Sequence, residues 1–185
     1  TAWKMNGSKA DGGVLCKRRG VSYKLQKIFC SEKRTSWICR RSAGAHAWRC
    51  ETVRLFCKIL PDVKKDLLLA AAMCHDIGKT KEISLFPQND YTDDGQLLGH
   101  IVIGTEMVSD KIRMIPGFPT VLASELKHCI LAHHGEYEYG SPKKPALMEA
   151  MALNLADNAD AKLETFTEIL EGTSETGWLG YNRFF

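Results

Sequence analysis

A chain of 185 residues, 44% hydrophobic and carrying a net charge of +3, has the length and apolar content of one globular domain with a single core. No apolar run approaches the roughly 20 residues that span a bilayer, and the start Thr1-Ala2-Trp3-Lys4 lacks the basic-then-apolar layout of a secretory signal, so no membrane contact and a cytoplasmic location are expected. Seven cysteines with no C-x-x-C pair argue against a disulfide framework and a cysteine zinc site and leave reduced thiols.

The charge is unevenly divided. Residues 1 to 50 hold 12 Lys/Arg against Asp11 and Glu32, a net of +10, whereas residues 51 to 185 hold 13 against 20, a net of −7. A basic arm on an acidic body attracts a polyanion such as RNA through phosphate contacts and counterion release, although the same composition describes a solvated leader. Residues 1 to 43 show no sustained period beyond a short helical stretch at 23 to 29, so they form an irregular basic segment to which no fold is assigned.

The first clear helix begins near Ala45 or His46. His46, Cys50, Val53, Cys57 and Leu60 recur at helical spacing, which puts His46 on the buried face, and Pro61 ends the segment. Asp62 is the predicted N-cap of a second helix that runs through Leu67-Leu68-Leu69-Ala70 to Cys74. That helix delivers His75 and Asp76 at its end, with Gly78 expected as a left-handed closing residue. Residues 80 to 96 read as an irregular rim with a short hairpin signal.

A third helix over 97 to 112 carries His100 in its first turn and Gly104 where another helix can approach. After Pro116 and Pro119, a fourth helix from Thr120 reaches His133-His134-Gly135, repeating the design of an apolar helix that ends in ligand-type residues. Lys143-Lys144 forms a basic turn between Pro142 and Pro145. A last helix over 146 to 171, stopped by Gly172, places Asp157 on the stripe of Ala150, Leu153 and Ala161. The aromatic tail from Trp178 to the end is expected to pack back on the bundle.

Imidazole nitrogen and carboxylate oxygen are the ligands that hold borderline and hard divalent ions. Each pair alone has a plainer explanation. His75-Asp76 can be the polar end of a capped core helix, and Asp157 can pair locally with Lys162. His133 and His134 together are harder to dismiss, because every buried imidazole needs hydrogen-bond partners.

His46, His75-Asp76 and Asp157 reproduce, in order, the H…HD…D pattern, and in this the chain resembles the HD phosphohydrolase superfamily. The blocks Gln96-Leu97-Leu98-Gly99-His100-Ile101, Leu131-Ala132-His133-His134-Gly135, Glu138-Tyr139-Gly140-Ser141-Pro142 and Asp157-Asn158-Ala159-Asp160-Ala161-Lys162 narrow this. They are similar to the HD domain of YhaM-type 3′→5′ exoribonucleases.

The resemblance implies an all-α HD-domain helical bundle of five or more helices over residues 44 to 185, following the irregular segment 1 to 43. It also implies a divalent metal site of two ions, with manganese favoured over iron, magnesium or cobalt. One ion would take His46, His75, Asp76 and Asp157; the other would share Asp76 and add His100, His133 and His134. Asp76 and Lys79 would be catalytic, Lys79 by stabilising charge on phosphate, unless it is only a solvated lysine near a helix end. Lys143 and Lys144 would bind substrate.

The implied function is a metal-dependent phosphodiesterase, a 3′→5′ exoribonuclease that releases nucleoside monophosphates by metal-activated water attack. An HD-family phosphohydrolase of small nucleotides and a catalytically weak nucleic-acid-binding HD protein stay open as alternatives. RNA or single-stranded nucleic acid is the expected partner, and homo-oligomerisation is open. Proteins of the YhaM type carry an N-terminal OB-type domain, for which residues 1 to 45 are too short and too irregular, so a fragment, a shortened relative or a sequence disturbed near its start is expected. His128 is expected close to the ligand cluster but outside it.

Overall fold

The apolar spacing of 3.6 produces the helices it predicts. The structure, a computed structural model, describes residues 43–85 and 87–172, with side chains from residue 51 onward. Within them lie α1 (Ala43–Ile59), α2 (Lys65–Cys74), the single turn α3 (Lys79–Glu82), α4 (Asp93–Arg113), α5 (Thr120–Leu131), a short 3₁₀ turn (Tyr137–Tyr139) and α6 (Met148–Glu171). The only β pairing among the described residues is one isolated bridge between Ile83 and Tyr91, where the hairpin signal lay. The stretch 23 to 29 and the aromatic tail fall outside the described residues, as does the basic segment up to residue 42.

Helix α2 is the hub. Beyond Lys65-Asp66 its sequence is apolar, as suits a helix that neighbours cover on most sides, and α1, α5 and α6 all pack on it, leaving Met73 exposed. Leu67, Leu68, Ala70, Ala71, Ala72 and Cys74 are buried there, against Val53 and Cys57 of α1, Leu126, Cys129 and Ile130 of α5, and Ala150, Leu153 and Ala156 of α6. The alanines keep the neighbouring helices close, and each buried leucine contributes on the order of 1.5–3 kcal/mol.

Three local expectations are corrected. Asp62 does not cap α2: the helix starts at Lys65, its N-cap residue is Lys64, and the Lys64 N–H donates to Glu149 Oε1 at 2.7 Å. A buried carboxylate from α6 thus sits at the positive end of α2, a position the helix dipole favours. Next, α4 begins at Asp93 rather than 97, because Thr92 Oγ1 accepts the Gly95 N–H at 3.0 Å, and the helix is then interrupted at Gly99 (φ 72°, ψ 159°). His100 therefore opens the second run of α4, not its first turn.

The third correction concerns Gly78, which is right-handed (φ −63°) and leads into α3. Its role is close approach: a Cβ there would lie 1.9 Å from the His100 carbonyl oxygen and 2.7 Å from the Gly104 nitrogen. Gly104 does admit a neighbour, and that neighbour is the Gly78 turn. The left-handed residue expected after α2 occurs after α5, at Gly135 (φ 83°). No described helix is long and apolar enough to cross a membrane.

Candidate metal centre

The end of α2 carries its histidine wholly buried. His75 is the C-cap, its Nδ1 lies 2.9 Å from the Ala72 carbonyl, and its Nε2 faces two carboxylates, Asp76 Oδ2 at 3.3 Å and Asp157 Oδ1 of α6 at 3.4 Å. A carbonyl oxygen can only accept, so the Nδ1 proton is fixed and Nε2 points into the site.

Two more histidines repeat this arrangement and a third varies it. The Nδ1 of His133, wholly buried just beyond α5, lies 2.7 Å from the Ile130 carbonyl, and that of His134 lies 2.7 Å from the Tyr139 carbonyl. The Nδ1 of His100 lies 3.1 Å from Glu82 Oε1. The rings form one cluster: centroids are 5.0 Å apart for His75 and His133, 5.7 Å for His100 and His133, 5.2 Å for His100 and His134, and 4.2 Å for His133 and His134.

Asp76 presents a different oxygen to each side. Its Oδ2 meets His75 and, at 3.0 Å, the Lys79 ammonium, while its Oδ1 lies 3.8 Å from Nε2 of both His100 and His133. Two sets of potential ligand atoms result, His75 with Asp76 and Asp157, and His100 with His133 and His134, each set lying within 4.8 Å.

The electrostatics follow from this crowding of imidazoles and carboxylates. Burial disfavours charge on His75, but Asp76 and Asp157 outweigh it and raise its pKa to about 9. Burial likewise pushes the Asp76 carboxyl up, yet His75 and Lys79 hold it well below the usual carboxylate range. Burial, then the charge on His75, pushes His133 down, so this imidazole is neutral and a competent ligand.

The Nε2 atoms of His100 and His133 are buried with no hydrogen-bond partner, which in a folded interior is costly unless another group completes them. Imidazoles whose second nitrogen has no hydrogen-bond partner, beside carboxylates, are the donor set of a divalent cation. The residues present fit the metal.

Of the sequence-predicted residues, His75, Asp76, His100, His133, His134, Asp157 and Lys79 come together. His46 lies on α1, and its side chain falls outside the described residues. Lys144 forms an ion pair with Glu136, two residues past His134, and its ammonium lies 5.5 Å from the centre of the Tyr137 ring. Lys143 precedes it in the same turn, close enough to help depress the His128 pKa after burial has done so. His128 is not a companion of the ring cluster; its Nε2 accepts the Ala146 N–H at 2.9 Å and ties α5 to the approach of α6.

Two residues escaped the sequence. Glu82 is a buried carboxylate on His100, and nothing in its spacing marks it within a connection that reads as a rim. Asn154 of α6 donates to the His133 carbonyl at 2.8 Å and lies under Gly135, where a Cβ would come within 2.6 Å of its Nδ2. It fixes the turn that presents His133 and His134.

The chain is similar to known proteins over the same region. Residues 37–162 match the family model of the HD domain. The chain is 40% identical over 116 residues to the 3′-5′ exoribonuclease YhaM of Shouchella clausii, an alignment covering 62% of this chain and 35% of that protein. It is 41% identical over 114 residues to the YhaM of Bacillus subtilis (61% and 36%), and 42% identical over 118 residues to that of Listeria monocytogenes (62% and 36%). The match thus spans about a third of the length of these relatives. No solved structure matches the chain. With a match to the family model that runs from before α1 through the turn of α6 that bears Asp157, the chain belongs to the HD domain family.

Proposed function

We propose that the chain is a metal-dependent phosphodiesterase that shortens RNA from its 3′ end and releases nucleoside monophosphates. The observation that carries this reading is Asp76, whose two oxygens face two separate sets of potential ligand atoms. The similarity to proteins named 3′-5′ exoribonuclease supports RNA over other phosphodiesters. One ion would be held by His75, Asp76 and Asp157 with His46 from α1, the other by His100, His133 and His134 with Asp76 shared. A mixed set of imidazole and carboxylate suits manganese, with iron, magnesium and cobalt as competitors.

Bound divalent ions would lower the pKa of water and offset charge on the phosphate. The chain's own residues supply the rest. Lys79, 43% exposed beside Asp76, offers an ammonium to a phosphate oxygen without leaving the site. Tyr137 and Tyr139 are exposed on the turn that holds His134, and their faces suit stacking on unpaired bases. Lys143 and Lys144 border that turn, and the +10 of residues 1 to 50 extends the attraction for a phosphate backbone. Buried free thiols at Cys57 and Cys129 suit a reducing cytoplasm.

The test is a 5′-end-labelled oligoribonucleotide incubated with the protein and Mn²⁺, run beside a panel of nucleoside mono-, di- and triphosphates. Stepwise shortening with release of mononucleotides is expected. Phosphate release from the panel without shortening would instead make this a small-nucleotide hydrolase, and RNA binding without metal or turnover would make it a nucleic-acid-binding member of the family.

A further inference from the structure

We propose that Glu82 is a positioning residue that orients His100 and sets the affinity of the second ion. The inference rests on the two-ion reading above.

Glu82 ends α3, is 7% exposed, and turns its carboxylate towards α4. One oxygen, Oε1, lies 2.9 Å from the His100 backbone nitrogen and 3.1 Å from His100 Nδ1. The first contact has a backbone cause. Gly99 leaves the helical region, so His100 begins a new helical run and its N–H is one of the donors that such a start leaves unsatisfied. A carboxylate there meets both the orphan donor and the positive end of the run.

The second contact has a chemical consequence. A carboxylate accepts a hydrogen bond from the Nδ1 N–H, so Nε2 is the nitrogen without a proton, and that atom is buried, unpartnered and 3.8 Å from Asp76 Oδ1. Among the described residues, His75, His133 and His134 lean on backbone carbonyls, of Ala72, Ile130 and Tyr139, whereas His100 leans on an anion. A carboxylate behind a ligand imidazole raises its basicity and fixes its ring plane.

The position of Glu82 is itself held. Its carbonyl accepts from the Thr92 N–H at 2.9 Å, and Thr92 Oγ1 donates to the Lys81 carbonyl at 2.7 Å, so the start of α4 and the end of α3 are pinned together. Burying a carboxylate is unfavourable unless its partners are fixed, and here both partners belong to one residue of the metal centre.

The experiment titrates Mn²⁺ into the metal-stripped full chain by calorimetry, with metal content counted on the purified protein, for the wild type, Glu82→Gln and Glu82→Ala. The melting temperature of each metal-free form is recorded alongside. Two ions are expected for the wild type. Glu82→Ala should weaken the second by about 10- to 100-fold, the usual cost of removing an outer partner of a ligand, and leave the first unchanged. Glu82→Gln keeps an acceptor without the charge and should lose less of the second ion, with a melting temperature near that of the wild type.

If Glu82→Ala does not fold, Glu82→Gln decides. A loss confined to the second ion supports the assignment, and an equal loss of both overturns it as merely structural. Two ions bound by both variants with wild-type affinity would overturn the role of Glu82 alone. A wild type that binds a single ion would overturn the two-ion reading, and this inference with it.

Discussion

His75 and Asp76 are neighbours in the chain, yet both side chains face inward, with His75 Nε2 3.3 Å from Asp76 Oδ2. Consecutive residues of a regular helix diverge by about 100°, and this pair stands at the helix end, where both side chains reach one site. Here α2 stops at Cys74 and a turn begins. The opposite oxygen of Asp76 is thereby left for His100 and His133.

Asp76 is accordingly expected to be the most sensitive residue. Asp76→Ala removes the carboxylate that both ions would share, and Asp76→Asn keeps its shape without its charge. Both should lose metal and turnover by more than the roughly 10- to 100-fold that outer residues cost. Metal content of the purified variants, with hydrolysis of a labelled oligoribonucleotide, is the check; an Asp76→Ala protein that keeps two ions and full exonuclease activity would remove this site as the active site.

The metal-free protein should be most stable near the ordinary imidazole pKa of 6.5. His75 has a folded pKa raised to about 9, so its contribution is complete below 6.5 and is lost as pH rises through 9. His133 is shifted the other way, so a cost accumulates as pH falls below 6.5, and the contribution of Asp76 is lost on further acidification below its ordinary 3.8. Thermal melts of chelator-treated protein across this range should give a maximum, with Mn²⁺ flattening the alkaline side because the cation replaces the His75 proton. A melting temperature that rises steadily from pH 6.5 to 9 would contradict the assignment of His75.

Gly78→Ala should separate α3 from α4. The added methyl meets the His100 carbonyl and the Gly104 nitrogen, both backbone atoms, so the helix as a whole must move. A loss of about 1–3 kcal/mol is expected from overpacking, measured by chemical denaturation, together with weaker binding of the second ion, because His100 shifts with its carbonyl. Unchanged stability would mean that the two turns are farther apart than described.

Residues that meet the strand rather than the metal should act through salt dependence. Deleting residues 1 to 42 should weaken RNA binding and flatten the slope of log K against log salt, since each phosphate contact to a single strand contributes about −0.7 to that slope. Lys143→Ala should cost about one contact. Lys144→Ala should cost less, because Lys144 already shares its charge with Glu136. Slopes identical to the wild type would show that neither the arm nor the turn touches the strand.

The sequence by itself determined the five long helices and the chemistry carried at their ends. Apolar periodicity is local, and a string such as Leu67-Leu68-Leu69-Ala70 must be covered by neighbours on more than one side. His75-Asp76 and His133-His134 were legible because these residue types are rarely spent at the end of a buried helix without a chemical reason. What only the tertiary structure decided were the contacts between segments remote in the chain. Lys64 finds its cap 85 positions away in Glu149, against the nearer Asp62. Gly78 is small because His100 lies against it, and Glu82 reaches His100 only because Gly99 interrupts α4 and turns a backbone donor towards it. Local propensity sees a residue's neighbours in the chain, whereas the partner of a buried polar group is chosen by whichever helix packs against it.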